Sequence, residues 1–269
     1  MAITLNGTTG ITTPAIDNQG DLTVDTNTLV VDSANNNVGI GTSSPGARLD
    51  VEGAAASNNL AIKINNTDTS GYSTLQMGGT DAGIYRNGSA QSSYGGNSSL
   101  NLITVGAHPI SFSTSNTPRV TIDSTGAVTM PYQTAFLVRP STSQTNFAPS
   151  ANVTAVWGSE IFDQNSDFSS NTFTAPVTGR YLLTVNLALR DVDSAASYIQ
   201  SVLVTSNRGY ELLWSGNGLA QDVQYWYQSF SAFTDMDAGD TSYVYVRQQG
   251  GTQQLTFATD SSFAGYLVC

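Results

Sequence analysis

The placement of large side chains limits most strongly what this chain can fold into. Of 3 Trp, 12 Tyr and 10 Phe, only Tyr72, Tyr85, Tyr94 and Phe112 precede residue 130. Aromatic rings bury roughly 150–250 Å² each and dominate the energetics of a core, so residues 1–130 have little with which to build one inside a single chain. This part is rich in Gly, Asn, Ser and Thr. Its apolar runs are short: Leu22–Val24, Leu29–Val31, Ala61–Ile64, Leu100–Ile103 and Val120–Ile122, each closed by turn residues. They read as short strands, and isolated hairpins are marginally stable in water. Three copies wound about one axis would bury these small faces against each other and pair the open strand edges. The expectation for 1–130 is therefore an elongated, intertwined trimeric β-shaft. A weak internal repeat fits it: Leu29-Val-Val-Asp-Ser33 running to Val38 and Val120-Thr-Ile-Asp-Ser124 running to Val128 both read as strand, Asp-Ser turn, strand.

The composition changes near Met130-Pro131, and residues 131–269 read as a separate domain. Tyr181, Leu183, Val185, Leu187 and Leu189 alternate with polar neighbours, the period of a half-buried strand. Further strands are expected at Ala135–Arg139, Val153–Phe162, Tyr198–Thr205, Val223–Thr234, Ser242–Gln248 and Phe263–Val268. Turn signals at regular spacing between them suggest a sandwich or jelly roll, and no amphipathic helix is evident.

The totals exclude several functions. Net charge is −11, and eight of nine basic residues are Arg, Lys63 being the one lysine. Such a surface repels a phosphate backbone, so no nucleic-acid partner is expected. No run approaches the roughly 20 apolar residues of a membrane-spanning helix, and Met1–Pro14 has neither the basic start nor the apolar stretch of a signal peptide. Cys269 is the single cysteine, which rules out an intrachain disulfide or a thiolate cluster; a small buried or neutral role is expected for it.

Three stretches of the second half resemble the C1q/TNF-like jelly-roll family: Phe173-Thr-Ala-Pro-Val-Thr-Gly-Arg-Tyr181 before an alternating strand, Asp237-Ala-Gly-Asp240 leading into Tyr243–Val246, and the closing Phe263-Ala-Gly-Tyr-Leu-Val268. The resemblance implies a compact trimeric head, with Tyr225, Tyr227 and Tyr266 at the trimer interface. Residues 1–130 resemble bacteriophage tail-fibre sequences through Asn37-Val-Gly-Ile-Gly-Thr-Ser-Ser-Pro45, Leu49-Asp-Val51 and Arg119–Gly126; Met1–Pro14 and His108–Ile110 have the same character. With no C-terminal autoprocessing chaperone expected, the head itself should register the trimer. Together these likenesses imply an all-β virion protein: an N-terminal attachment and shaft region over 1–130 and a C1q/TNF-like head over 131–269. Its expected role is that of a structural tail-fibre adhesin, assembled in the host cytoplasm. Its partners would be itself, tail or baseplate proteins through the N-terminal part, and a glycan or protein on the host surface. A fibre-borne polysaccharide depolymerase and a capsid-decoration or baseplate component are the alternatives.

Candidate chemistry is sparse. Val38-Gly-Ile-Gly41 begins like a dinucleotide fingerprint, but Ser44 and Pro45 break the pattern and a tight hairpin fits better. His108 is the one histidine and lacks neighbouring partners for catalysis; as a metal ligand it would need symmetry mates. Asp235, Asp237 and Asp240 carry the oxygens a Ca²⁺ ion prefers, with Asp163 and Asp167 a second group, although short Asp side chains in turns commonly bond the backbone instead. No other cofactor is implied. In the run Tyr225-Trp226-Tyr227, alternation sends Trp226, with Phe230, into the core and the tyrosines to the other face. Receptor contacts are expected on polar connections at 190–194, 206–210 and 215–221: Asp191, Asp193, Arg208, Tyr210, Asn217 and Gln221.

Overall fold

The computed structural model describes residues 22–24, 28–52, 69, 72–77, 82–90, 96–216 and 218–269. Met1–Pro14, the strand expected at Ala61–Ile64 and the receptor candidate Asn217 lie outside them. The named elements among the described residues, β-strands throughout, include no helix long and apolar enough to cross a membrane. The chain divides into two units, one ending at Ile103 and one starting at Thr104.

In the first unit β1 (Leu22–Val24), β2 (Leu29–Asp32), β3 (Asn37–Ile40) and β4 (Leu49–Val51) form one sheet, and β5 (Tyr72–Met77), β6 (Ala82–Asn87) and β7 (Leu100–Thr104) another. The β2–β3 turn follows from Asp32, whose carboxylate accepts the Ala34 and Asn35 amides. The expected hairpin after β3 is not one. Gly41 turns the chain at φ 81°, and β4 returns parallel to β3, pairing Val38 with Leu49 and Ile40 with Val51. A side chain at Gly41 would strike the Glu52 carbonyl, so this crossover requires glycine.

The second unit opens with a three-stranded sheet of β8 (Ile110–Thr114), β9 (Thr117–Ile122) and β10 (Val128–Thr129). Asp123 repeats the role of Asp32: its Oδ1 accepts from the Thr125 amide and hydroxyl and from the Ala127 amide. Side-chain donors, Asn35 in one turn and Thr125 in the other, hold both carboxylates below the usual range. The two hairpins of the internal repeat thus share one turn chemistry.

The sandwich comprises β11 (Ala135–Arg139), β12 (Val153–Thr154), β13 (Ser159–Asp163), β14 (Phe168–Ser169), β15 (Thr172–Thr174), β16 (Gly179–Val192), β17 (Tyr198–Thr205), β18 (Gly209–Ser215), β19 (Val223–Met236), β20 (Thr241–Gln249), β21 (Thr256–Phe257) and β22 (Ser262–Leu267). One sheet runs β13-β11-β22-β16-β19 with β21 beside β16; the other runs β14-β15-β20-β17-β18 with β12 beside β20. This is an all-β jelly-roll sandwich. Its core follows the alternation of β16, with Tyr181, Leu183, Val185, Leu187 and Leu189 all at most 1% exposed. An aromatic group knits the layers: the Phe136 ring lies 4.8 Å from Phe173 and 5.0 Å from Phe263. Gly265 makes this contact possible, because a Cβ there would stand 2.7 Å from Phe136 Cε1. The single strand expected over Val153–Phe162 is two, β12 in one sheet and β13 in the other, because Ala155 and Trp157 turn into the core between them.

The compact units meet between Ile103 and Thr104, while the composition changes near residue 130. The segment that joins β10 to the sandwich is held at both sides: Gln164 Nε2 donates to the Met130 carbonyl (2.8 Å), Asn165 Nδ2 to the Tyr132 carbonyl (3.2 Å), and Arg119 of β9 stacks 4.4 Å from the Tyr132 ring.

Candidate functional site

The outer face of the β16 sheet is set by the same period that fills the core. Residues between the buried ones point outward, and cross-strand register aligns them in rows. Ala135, Tyr266, Leu182 and Phe233 form one row, and Phe162, Leu137, Ala264, Thr184 and Ser231 the next. Phe233 is 63% exposed and Tyr266 47%. A polar band follows, in which Thr184 and Ser231 hydroxyls meet at 2.9 Å and Asn186 Nδ2 donates to Ser262 Oγ at 3.1 Å. Beyond it stand Tyr225 and Tyr227, exposed, with the Arg190 guanidinium 4.8 Å from the Tyr225 ring and 2.7 Å from Asp260. The three tyrosines assigned to a trimer interface therefore share one sheet face, at its two ends. Trp226 and Phe230 pack against the core as expected, Trp226 with its ring 4.5 Å from Trp214. Phe233, Leu182 and Phe162 belong to the same face and were missed, although alternation from Trp226 already places Phe233 outward.

The receptor candidates fall at opposite ends of the sandwich. The chain enters at Thr134, whose carbonyl accepts from Leu267; Gly179, Met236 and Cys269 share this base. Arg208 lies here too, paired with Asp235 at 3.1 Å. Tyr210 sits in β18, half-buried against the core rather than in a loop, because the Gly209–Ser215 segment pairs along β17. Asp191 and Gln221 are exposed at the far end, a strand length of about 40 Å away.

Asp193 is not a surface contact. It is 3% exposed, and its carboxylate accepts from the Ala195 amide at 2.7 Å and from the Thr252 amide, tying two tip loops together. Cys269, expected to be buried or neutral, is exposed; its carbonyl accepts from Arg180. His108 is exposed as well.

The acidic turn at the base spends its carboxylates internally. Asp235 faces Arg208, Asp240 Oδ2 accepts from the Asp237 amide (2.9 Å) and Asn207 Nδ2 (3.1 Å), and Asp237 accepts from the Thr178 hydroxyl. Asp163 likewise caps the Asp167 and Phe168 amides. Among the described residues no three His, Cys, Asp or Glu side chains converge as metal ligands would.

At the tip a groove of about 680 Å³ has Thr145, Asn146, Asp191, Asp222, Gln224 and Gln254 in its lining, together with Thr256 and the apolar Val223. Its origin is a break in two strands at once. Leu189 and Val192 both enter the core although three residues apart, because Asp191 takes φ 54° and resets the alternation. The β16–β19 ladder accordingly carries no pair between Arg190–Tyr225 and Val192–Val223. Asp222 is held by the Ser194 amide (2.9 Å), the Ser194 hydroxyl (2.7 Å) and Gln254 Nε2 (2.9 Å). These donors, the Gln254 amide foremost, lower its pKa to about 2. It accepts hydrogen bonds as a permanent anion and is unsuited to deliver a proton. Asp222, Gln254, Asn146 and Thr145 were missed because nothing local in three separate segments shows that they meet.

No protein-family profile and no curated protein matches this chain. Solved structures similar to it include the globular domain of zebrafish complement 1qA protein, 20% identical, covering 51% of this chain and 98% of that one at a TM-score of 0.38. Murine APRIL at pH 8.0 is similar at 14% identity, covering 51% of this chain and 99% of that one, with a TM-score of 0.38.

Proposed function

We propose that this protein is a non-enzymatic, homotrimeric adhesin of a bacteriophage tail fibre, joined to the virion through its N-terminal part and presenting the sandwich to the host surface. The observation that carries self-association is the β8–β10 sheet. From Leu100 to Gln133 no residue is buried. Yet Ile110 pairs with Ile122, Phe112 with Val120 and Val128 with Ile122, which gathers the apolar side chains on one face, while Ser111 and Thr121 take the other. A lone sheet with a wet apolar face is not a stable end state; further copies of the same chain supply the missing layer. Among the residues whose side chains are described, only Val30 and Tyr85 are buried hydrophobics before Phe136. The outward Phe233, Leu182 and Tyr266 of the sandwich offer a second surface for the same contact.

Threefold symmetry and the tail-fibre setting rest on the sequence resemblances at 173–181, 237–246 and 263–268 and at 37–51 and 119–126. Three identical heads per fibre would turn weak contacts into durable attachment. The test is the mass of the full chain in solution by multi-angle light scattering. Three times the 28.3 kDa of one chain is expected, and a monomer at micromolar concentration overturns the reading.

A further inference from the structure

We infer that the tip groove between Asp191, Asp222 and Gln254 binds an uncharged saccharide through its hydroxyl groups. The inference rests on the adhesive reading for its biological setting, while the site itself is made by the sandwich.

The lining chemistry selects the ligand class. Asn146, Gln224 and Gln254 carry amides that both donate and accept, Thr145 a hydroxyl that does the same, and Asp191 and Asp222 carboxylates that accept. Sugar hydroxyls also donate and accept, so they can pair with Asn146, Gln224, Thr145 and Asp191 and with the lone pairs of Asp222 that Ser194 and Gln254 leave open. An anionic ligand would meet two carboxylates on a chain of net charge −11. A cationic ligand would engage the carboxylates and make no use of the Asn146 and Gln224 amide donors. The volume of about 680 Å³ suits a short oligosaccharide.

The walls are fixed before any ligand arrives. Asp222 is anchored by Ser194 and Gln254, Gln253 Nε2 donates to the Asn146 carbonyl at 2.8 Å, and Asp193 clamps the loops behind. Pre-set polar groups lower the ordering cost of binding. Placement fits presentation: the groove opens at the end of β16 opposite Thr134, where the rest of the chain enters.

The test is saturation-transfer-difference NMR on the full chain with maltohexaose, cellohexaose, mannohexaose and tetra-N-acetylchitotetraose, with hexagalacturonate and spermidine as acidic and basic probes. At least one neutral oligosaccharide should receive saturation, insensitive to added salt. Its affinity should fall by about tenfold or more in both Asp222→Ala and Gln224→Ala, as expected when a hydrogen-bonding group is removed from a bound hydroxyl. Gln224 is exposed, so its variant keeps the test valid should Asp222→Ala disturb the Ser194 loop. The inference is overturned if no neutral sugar binds, if either charged probe is preferred, or if Gln224→Ala binds as well as the parent. Its failure is separable from that of the adhesin reading. A full chain that coats bacterial cells equally well with Gln224→Ala refutes the groove alone, and one that binds a neutral sugar but coats no cells refutes adhesion alone.

Discussion

Phe112→Ser tests the uncovered β8–β10 face most directly. Phe112 is 53% exposed in one chain, so about 100 Å² of a ring that presents roughly 200 Å² stays wet until other copies arrive. At about 25 cal/mol per Å², covering it contributes ~2.5 kcal/mol per chain and ~7.5 kcal/mol per trimer. That corresponds to about five decades in the trimer dissociation constant, at roughly 1.4 kcal/mol per decade. Because that constant carries concentration squared, the midpoint of assembly moves by half as many decades, about 300-fold. Sedimentation velocity over a dilution series reads the midpoint, and near-UV circular dichroism of Trp157, Trp214 and Trp226 reports whether the sandwich stays folded. Ser111→Ala, on the opposite face beside Thr121, should leave the midpoint in place. A parent chain that stays monomeric, or a Phe112→Ser midpoint within about threefold of the parent, refutes the reasoning.

Three further substitutions probe the sandwich. Phe263→Ala removes a fully buried ring packed 5.0 Å from Phe136 and 5.9 Å from Trp157; urea unfolding followed by Trp fluorescence should show a loss of about 3–5 kcal/mol, and a loss under about 1 kcal/mol contradicts the packing described. Asp193→Ala strands two amide donors in the tip loops and should cost about 2–3 kcal/mol, with faster hydrogen exchange at Ala195 and Thr252; unchanged exchange there argues against the clamp. Asp167 has its pKa raised by burial, and its Oδ2 is buried without a hydrogen-bond partner. A carboxylate whose folded pKa lies above its unfolded value of about 3.9 opposes folding when ionised, so its penalty is full above the folded pKa and fades as pH falls through it. Asp167→Asn should therefore raise the melting temperature at neutral pH by about 2 °C, with the gain disappearing towards pH 4, and a lower melting temperature at pH 7 rejects this account.

What could be read from residues alone was local. β11 falls on Ala135–Arg139, the core face of β16 was visible in its alternation, and the turns at Asp32 and Asp123 followed from a short carboxylate placed where it can accept following amides. What escaped depended on partners far along the chain. The run 153–162 reads as one strand until Trp157 finds its place against Phe257, 5.1 Å away. The parallel return of β4 depends on Gly41 meeting the Glu52 backbone. Asp191 and Asp193 look equivalent in sequence, yet the positive φ of the first turns it to the groove while the second is sealed behind it. The groove was only half legible for the same reason: Asp191 was among the candidates, but its companions arrive from near residues 145, 222 and 254.

The contrast within residues 104–269 also fixes how the protein should unfold. The sandwich holds its core cluster between Phe136 and Phe263 within one chain, so it stays folded once the copies have separated, and its own unfolding from that state is independent of concentration. The β8–β10 sheet holds no fully buried residue of its own, and its stability is that of the assembly. Heating should give two transitions. The lower one, loss of association and of the β8–β10 sheet, should rise with protein concentration; the upper one, reported by Trp157 and its aromatic neighbours, should not. Calorimetry on the full chain over a hundredfold concentration range, about 2.7 kcal/mol of mass action per binding step, decides the matter. A single concentration-independent transition would mean that the sheet draws its stability from within one chain, and that its apolar face is covered by the chain's own residues.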